Sequence, residues 1–122
     1  ELSHFPKPYI AGKLCALDGE HEEIETLCDT GTRWSLLSPR AGFTSETDPF
    51  LKKICIPSRR IPGFALEVTG VGGCSLRGSQ AYNIDAEFHE KKTETIVVVL
   101  DKSHPTLPRL VLGLLAMTTD FK

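Results

Sequence analysis

The tripeptide Asp29-Thr30-Gly31 combines a carboxylate with two residues that favour a tight turn. It lies between two apolar runs, Ile24 to Cys28 and Ser35 to Leu37, which are predicted strands. A carboxylate held at the base of a barrel by two such strands can act as a general acid or base. The tripeptide alone is a weak signal, because Asp-Thr-Gly also makes an ordinary turn.

Two further groups of residues follow the tripeptide along the chain. Gly70-Val71-Gly72-Gly73 comes about forty residues later, between two predicted strands. Leu110-Val111-Leu112-Gly113 then places hydrophobic residues and a glycine before the chain end, where Leu110 to Met117 is predicted as a short strand passing into a helical turn. The glycine cluster is not a dinucleotide-binding fingerprint, because G-x-G-x-x-G would require glycine in place of Ser75 and a surrounding βαβ unit.

In this order and context, the three groups resemble the retropepsin-like family, the aspartic proteases of retroviral and retrotransposon type. That family has a D-[TS]-G loop after a hydrophobic strand, a glycine-rich flap hairpin and a hydrophobic-hydrophobic-Gly element near its C-terminus. The resemblance extends from about Tyr9 to Met117. It implies that residues 1–122 form a single domain, an all-β, retropepsin-like closed barrel with a flap hairpin over 64–78 and one short C-terminal helix.

The chemistry implied by this resemblance requires two carboxylates close enough to share one proton. Two like charges that near cannot both ionise, so one group serves as base and the other as acid. The base activates a water, and the acid protonates the oxyanion that forms on the attacked carbonyl. One Asp-Thr-Gly per chain supplies one carboxylate. The resemblance therefore implies a homodimeric endopeptidase, with a two-fold axis between the loops and an extended polypeptide as substrate.

The resemblance also implies roles for individual residues. Asp29 is the catalytic acid or base, Thr30 hydrogen-bonds across the axis, and Gly31 leaves room for the substrate backbone. Val71 closes over the substrate and excludes water. The predicted substrate contacts are Thr32, Arg33, Trp34, Gly70, Val71, Gly72 and Gly73. No metal ion and no other cofactor is implied.

The sequence departs from the viral members of the family at two positions. Where those proteins pair an acidic residue with an arginine near the dimer interface, this chain has Arg33 and Leu114. Losing both partners of an ion pair can be nearly neutral, which predicts that the dimer contacts are rebuilt. Trp34 is a candidate pocket wall or interface anchor, with packing in the core as the alternative.

Two other functions remain open on the sequence alone. Arg33-Trp34 and Leu114-Leu115 also fit a catalytically inactive retropepsin-like domain kept for dimerisation or for binding a protein or peptide. The third possibility is an unrelated β-barrel in which Asp29 belongs to an accidental turn. Replacing Asp29 separates these cases, because an exposed turn residue contributes little to stability or function.

Short apolar runs separated by turn signals predict an all-β fold. Pro6 and Pro8 predict an extended arm over residues 1–9. Residues 40–62 are a predicted insertion loop, in which Asp48-Pro49 either caps a helical turn over 50–54 or precedes an edge strand over 54–56. The predicted strands cover residues 10–17, 24–28, 32–38, 64–69, 75–88 and 93–100, with Ile96 to Val99 in a central, doubly buried strand and a turn at 90–92.

Composition limits the remaining function classes. The chain has 122 residues, and 14 basic against 16 acidic side chains give a net charge of −2, which argues against a nucleic-acid partner. No apolar run approaches the roughly 20 residues of a membrane span.

Cys15, Cys28 and Cys55 lie in apolar runs and are predicted free thiols. With Cys74 they favour an intracellular site, the cytoplasm or a virus-like particle, over a disulfide-bonded or metal-binding domain.

Overall fold

The computed structural model describes residues 9–64, 66–71, 74–105 and 107–121. Within these ranges the chain is mainly β, and its strands are β1 Tyr9–Cys15, β2 His21–Cys28, β3 Ser35–Leu37, β4 Arg60–Ile61, β5 Leu66–Val71, β6 Cys74–Phe88, β7 Lys91–Leu100 and β8 Leu110–Leu112. Six strands close into a barrel in the order β1-β2-β8-β3-β7-β6, with β6 pairing back onto β1. The predicted all-β closed barrel is therefore confirmed, and β4 and β5 pair with β6 outside the ring.

The position of β8 between β2 and β3 decides what meets at one end of the barrel. β8 runs parallel to β2, with Cys28 opposite Leu112, and antiparallel to β3. Parallel strands finish at the same edge of a sheet. The residues that follow β2 and β8, beginning with Asp29 and Gly113, therefore lie side by side although they are far apart in sequence.

Buried residues form two clusters, one on each face of the central strands. Leu14, Leu37, Ile84, Leu110 and Leu112 are among the residues that fill the main cluster, all almost inaccessible to solvent. A second cluster packs outside the ring and contains Leu36, Ala81, Val98, Leu100 and Val111.

Strands β3, β7 and β8 are thus buried on both faces over part of their length, which explains their aliphatic composition. Residues 97–99 of β7 are buried, as predicted, and so is Leu100, whereas the prediction was wrong for Ile96, which is 37% exposed.

Several predicted boundaries need correction. β1 begins at Tyr9, which was predicted to end the N-terminal arm; residues 1–8 lie outside the described residues. β2 begins at His21, so Glu22 and Glu23 pair with β1 and do not form the hairpin end. His89 and Glu90 make the turn between β6 and β7, with φ of 52° and 66°, and the chain re-enters a strand at Lys91. A two-residue turn with positive φ at both positions matches the twist of the strands it joins.

The predicted insertion loop over 40–62 contains regular structure. It holds α1, Pro49–Ile54, a 3₁₀ turn over 57–59 and then β4. Of the two alternatives for this segment, the helix is confirmed and the edge strand is wrong. The Asp48 side chain caps α1 by accepting hydrogen bonds from Phe50 N at 3.0 Å and Leu51 N at 3.4 Å. Leu51 and Ile54 are buried, which anchors the segment to the core.

Cys15, Cys28 and Cys55 are free thiols. Cys15 and Cys28 belong to β1 and β2, as predicted, but Cys55 follows α1 and is not part of a strand. Burial raises the pKa of each of these three thiols, that of Cys55 to about 12 with a smaller contribution from the charge of Asp48. These thiols therefore stay protonated near neutral pH and behave as small apolar groups.

A buried carboxylate joins the 40–48 loop to the barrel. Asp48 is fully buried and accepts hydrogen bonds from the backbone N of Arg40 at 2.8 Å and its Nε at 3.3 Å. Arg109, just before β8, approaches Asp48 at 3.8 Å, donates to Ser38 O at 2.9 Å and pairs with Glu22 of β2. The network thus links β2, α1 and the entry to β8.

We expect Asp48→Ala to lower the free energy of unfolding by about 2 kcal/mol, because the cap is lost, Arg40 loses its acceptor and Arg109 loses a nearby opposite charge. Burial alone would raise the pKa of Asp48, but the hydrogen bonds from Arg40, Leu51 and Phe50 hold it below its ordinary value. The stabilisation is therefore complete above about pH 4, the unfolded-state pKa, and declines as pH falls through the lower folded-state value.

Urea unfolding of wild type and Asp48→Ala at neutral pH and below pH 4 measures both effects. The difference between the two proteins should shrink on acidification. Glu46→Ala, an exposed position in the same loop, is the control and should change stability little. A constant difference across this pH range would contradict the role given to the ionised carboxylate.

Candidate active site

The loop that carries Asp29 is bonded along its length to the residues that follow β8. Asp29 N donates to Leu112 O at 3.0 Å, Leu114 N to Thr32 O at 2.8 Å and Leu115 N to Arg33 O at 3.2 Å. Because both segments leave parallel strands at the same edge, these bonds continue the β2–β8 pairing past the ends of the strands. The loop is therefore held to the barrel by its backbone.

Within the loop, the Asp29 carboxylate accepts a hydrogen bond from Gly31 N at 2.8 Å. Thr32 N reaches back to Asp29 O at 3.4 Å, and the Thr32 hydroxyl donates to Trp34 O at 3.1 Å. Asp29 is partly buried, whereas Thr30 and Gly31 are exposed. The tight turn thus fixes the direction of the carboxylate and leaves the tip of the loop open to solvent.

Gly113 permits the close approach of the two segments. A Cβ atom at this position would lie 2.6 Å from Trp34 C and 2.7 Å from both Arg33 O and Trp34 O. These neighbours are backbone atoms of the loop, so they cannot rotate aside as a side chain can. Any larger residue must push the loop away from β8.

Ser35 contributes to the same junction and was missed by the sequence analysis. Its buried hydroxyl accepts a hydrogen bond from Gly113 N at 3.1 Å. The serine at the start of the apolar run Ser35 to Leu37 could have indicated such a bond, because a buried hydroxyl almost always has a hydrogen-bond partner. Gly113 itself was selected as part of a motif, but its contact with the loop was not predicted.

Three side chains form a stack that runs from the loop to the root of the β5–β6 hairpin. The Arg33 guanidinium lies over the Trp34 ring, 5.7 Å from its centroid. The Trp34 and Phe64 rings meet edge to face, with centroids 5.0 Å apart and an interplanar angle of 84°. Trp34 is partly buried against the second core cluster and also lines a groove of about 330 Å³ with Ile96 and Leu115. It therefore combines packing with a partly open face, and Phe64 was not predicted.

Gly70 and Val71, from the predicted glycine-rich segment, belong to the β5–β6 hairpin. β5 and β6 pair antiparallel from Leu66 opposite Gly78 to Val71 opposite Cys74, with an irregularity between Val68 and Val71. Gly70 and Val71 are the last residues of β5. Gly72 and Gly73 lie outside the described residues, so their predicted contact with substrate stays a prediction.

The two positions that depart from the viral pattern are neighbours. Arg33 and Leu114 belong to the segments joined by the bonds from Leu114 N and Leu115 N. Both are exposed, and no described carboxylate lies within ion-pair distance of Arg33. Backbone hydrogen bonds therefore hold the two segments together at these positions.

No protein-family model matches this chain, and no match was found among curated proteins. Across the described ranges, no three His, Cys, Asp or Glu side chains are grouped to hold a metal ion. Likewise, none of the helices in those ranges has the length and apolar character required to cross a bilayer. The candidate active site is therefore defined by geometry: the Asp29 loop, the segment after β8 and the β5–β6 hairpin.

Proposed function

We propose that this domain is an aspartic endopeptidase of the retropepsin-like type, active as a homodimer. The observation that carries the proposal is the backbone bonding of the Asp29-Thr30-Gly31 loop to residues 112–115. That bonding holds a carboxylate in a tight turn at one end of a closed barrel, and the Trp34–Phe64 contact joins the same loop to the root of the β5–β6 hairpin. Rigid placement of the reacting group is what acid–base catalysis requires.

The mechanism uses Asp29 and Asp29 of the partner subunit as one acid–base pair. The ionised carboxylate takes a proton from a water between them, and the oxygen of that water attacks the scissile carbonyl carbon. The protonated carboxyl gives its proton to the carbonyl oxygen, so the tetrahedral intermediate is a neutral diol. On collapse, the C–N bond breaks, the leaving nitrogen takes a proton from the first Asp29, and the second recovers its proton from the diol.

The remaining elements supply binding and exclusion of water. Gly31 presents no side chain to the substrate backbone, and the β5–β6 hairpin covers the bound segment. An extended peptide places successive side chains on alternating sides, so selectivity comes from pockets on both sides. Substrates are extended, largely hydrophobic polypeptide segments. The domain works inside cells, in the cytoplasm or a virus-like particle, where Cys15, Cys28 and Cys55 stay reduced.

The test is the stoichiometry of a statine-type peptide, whose hydroxyl-bearing tetrahedral carbon imitates the intermediate. We expect the inhibitor to bind one molecule per two chains and to stop cleavage of a peptide library at mildly acidic pH. Binding is measured by calorimetry and chain association by sedimentation. A protein that stays monomeric at high concentration, ignores the inhibitor and cleaves no peptide would sink the proposal.

Leu114 and Leu115 are the apolar contacts expected to hold the dimer. They are 43% and 37% exposed, and their amides bond to Thr32 O and Arg33 O of the catalytic loop. A two-fold axis that brings the two loops together also brings these leucines close to the partner. We expect Leu114→Glu with Leu115→Glu to raise the dimer dissociation constant at least about 100-fold, because charges replace a central apolar contact.

Sedimentation of the double variant measures this effect, and circular dichroism checks that the barrel is retained. Leu17→Glu is the matched control, since Leu17 is 68% exposed at the turn after β1, outside the loop and the segment that binds it. It should leave association unchanged. A double variant that dimerises as well as wild type would contradict this assignment of the interface.

The same exposed leucines support the second candidate function, a domain kept for dimerisation or peptide binding without turnover. The two functions differ in one outcome. A dimer that depends on Leu114 and Leu115 but neither cleaves the library nor binds the inhibitor favours the inactive domain.

A further inference from the structure

Arg33 is a fixed positive charge at the candidate site. It lies in the loop that begins at Asp29, it is exposed, and among the described residues no carboxylate lies within 4.0 Å of its guanidinium. The guanidinium group of an arginine is a cation with five N–H donors. Its charge is therefore available to a ligand.

The position of this charge is constrained on two sides. The Arg33 carbonyl accepts a hydrogen bond from Leu115 N at 3.2 Å, which fixes the backbone. The guanidinium rests over the Trp34 ring at 5.7 Å, and that ring packs edge to face on Phe64. A cation held over an indole keeps its outer N–H groups free to donate. The side chain is thus partly ordered before a ligand arrives, which reduces the entropy lost on binding.

The stack connects the two elements between which a substrate would lie. Arg33 follows the catalytic tripeptide, and Phe64 comes just before Leu66, where β5 starts the hairpin. A peptide bound beneath the hairpin and against the Asp29 loop would pass this stack on its way out of the site. Its side chain at that point would meet the guanidinium.

We propose that Arg33 makes this site selective for peptides that carry an acidic side chain a few residues from the scissile bond. The inference rests on the proposed function, which it extends by naming a substrate class. A carboxylate accepts two parallel hydrogen bonds from a guanidinium, and neither an amide nor a lysine reproduces that pairing. The Arg33 charge therefore favours Glu or Asp in the substrate and disfavours Lys.

The test uses fluorogenic decapeptides with a hydrophobic centre, in which Glu, Gln or Lys is placed in turn at each of the three positions on either side. At a pH above the ordinary carboxyl pKa of about 4, wild type should prefer Glu over Gln at one position by about tenfold in kcat/KM. Arg33→Gln should abolish the preference, Arg33→Lys should retain part of it, and Arg33→Glu should reverse it towards Lys.

Arg60→Glu is the control, because Arg60 is an exposed arginine on β4, separated from β3 by β7 and β6 in the sheet order. It should leave the preference unchanged. Binding of the same peptides to Asp29→Asn protein gives a second measurement that does not depend on turnover. A Glu preference that Arg33→Gln removes, in cleavage or in binding, supports the inference.

Two results overturn the role of Arg33 and leave the protease proposal standing. One is cleavage with no acidic preference, and the other is cleavage with an acidic preference that survives Arg33→Gln. Absence of both cleavage and peptide binding removes the two proposals together.

Discussion

Asp29→Asn is expected to abolish peptide cleavage, lowering kcat/KM by about 10⁴-fold or more, without unfolding the protein. Asparagine can still accept the hydrogen bond from Gly31 N that the Asp29 carboxylate accepts at 2.8 Å. It cannot take a proton from water or share one with a partner carboxyl. The substitution therefore removes the acid–base chemistry and keeps the turn.

Asp18→Asn is the matched control for this substitution. Asp18 is exposed in the β1–β2 turn and accepts a hydrogen bond from Glu20 N at 2.9 Å, the same two-residue geometry as Asp29. The chemical change and the two-residue turn are therefore alike, although Asp18 also pairs with Lys53 at 3.6 Å. Library cleavage at mildly acidic pH should be close to wild type for Asp18→Asn. Equal activity of wild type and Asp29→Asn would eliminate the protease.

Mixing wild-type and Asp29→Asn chains tests whether the site is shared between subunits. If two carboxylates are needed, only dimers of two wild-type chains are active, and in an equal mixture these are about a quarter of the dimers. Activity per total chain should therefore fall to about a quarter after exchange of subunits. A fall to one half would mean that each chain acts alone.

Gly113→Ala is expected to lower the free energy of unfolding by about 3 kcal/mol or more and to abolish cleavage. The added Cβ would lie 2.6 Å from Trp34 C and 2.7 Å from the carbonyl oxygens of Arg33 and Trp34. Relief requires the loop to move away from β8, which breaks the bonds of Leu114 N and Leu115 N to the loop. Stability and activity should fall together, because the same bonds hold the fold and place Asp29.

Gly19→Ala is the control that separates the steric clash at Gly113 from the general backbone cost of replacing a glycine. Gly19 has φ of +94° and no atom within 4 Å of the added Cβ, so the substitution strains the backbone without a collision. Its expected cost is about 1 kcal/mol, with activity retained. Urea unfolding and library cleavage compare the two variants. If Gly113→Ala lost no more stability than Gly19→Ala, the loop would not depend on this contact.

The type and order of most elements were determined by local sequence. The apolar run from Ile24 to Cys28 and the aliphatic run from Val97 to Leu100 form strands because their side chains suit a buried sheet. The loop at Asp29 follows from residues that favour turns within a few positions. Asp48-Pro49 likewise offered a helix cap, although the structure was needed to decide between the helix and an edge strand over 54–56. Such preferences depend on neighbours in the chain, so one sequence is sufficient to find them.

Boundaries were less well determined by those preferences. The turn at His89-Glu90 contains neither glycine nor asparagine, and the predicted turn over 90–92 began one residue and ended two residues too late. Ile96 was expected inside because the run around it is aliphatic, yet it faces outward. In both cases strand pairing across the sheet overrode the local pattern.

The candidate site was decided by tertiary structure. Pairing of β8 between β2 and β3 brings Leu112 and Gly113 to the loop at Asp29, and packing brings Phe64 to Trp34. The Asp48–Arg109 contact arises in the same way. Each joins residues far apart in the chain, and their meeting depends on strand order and register. No local periodicity contains that information, whereas the choice of Asp, Thr and Gly at 29–31 needed no structure to be noticed.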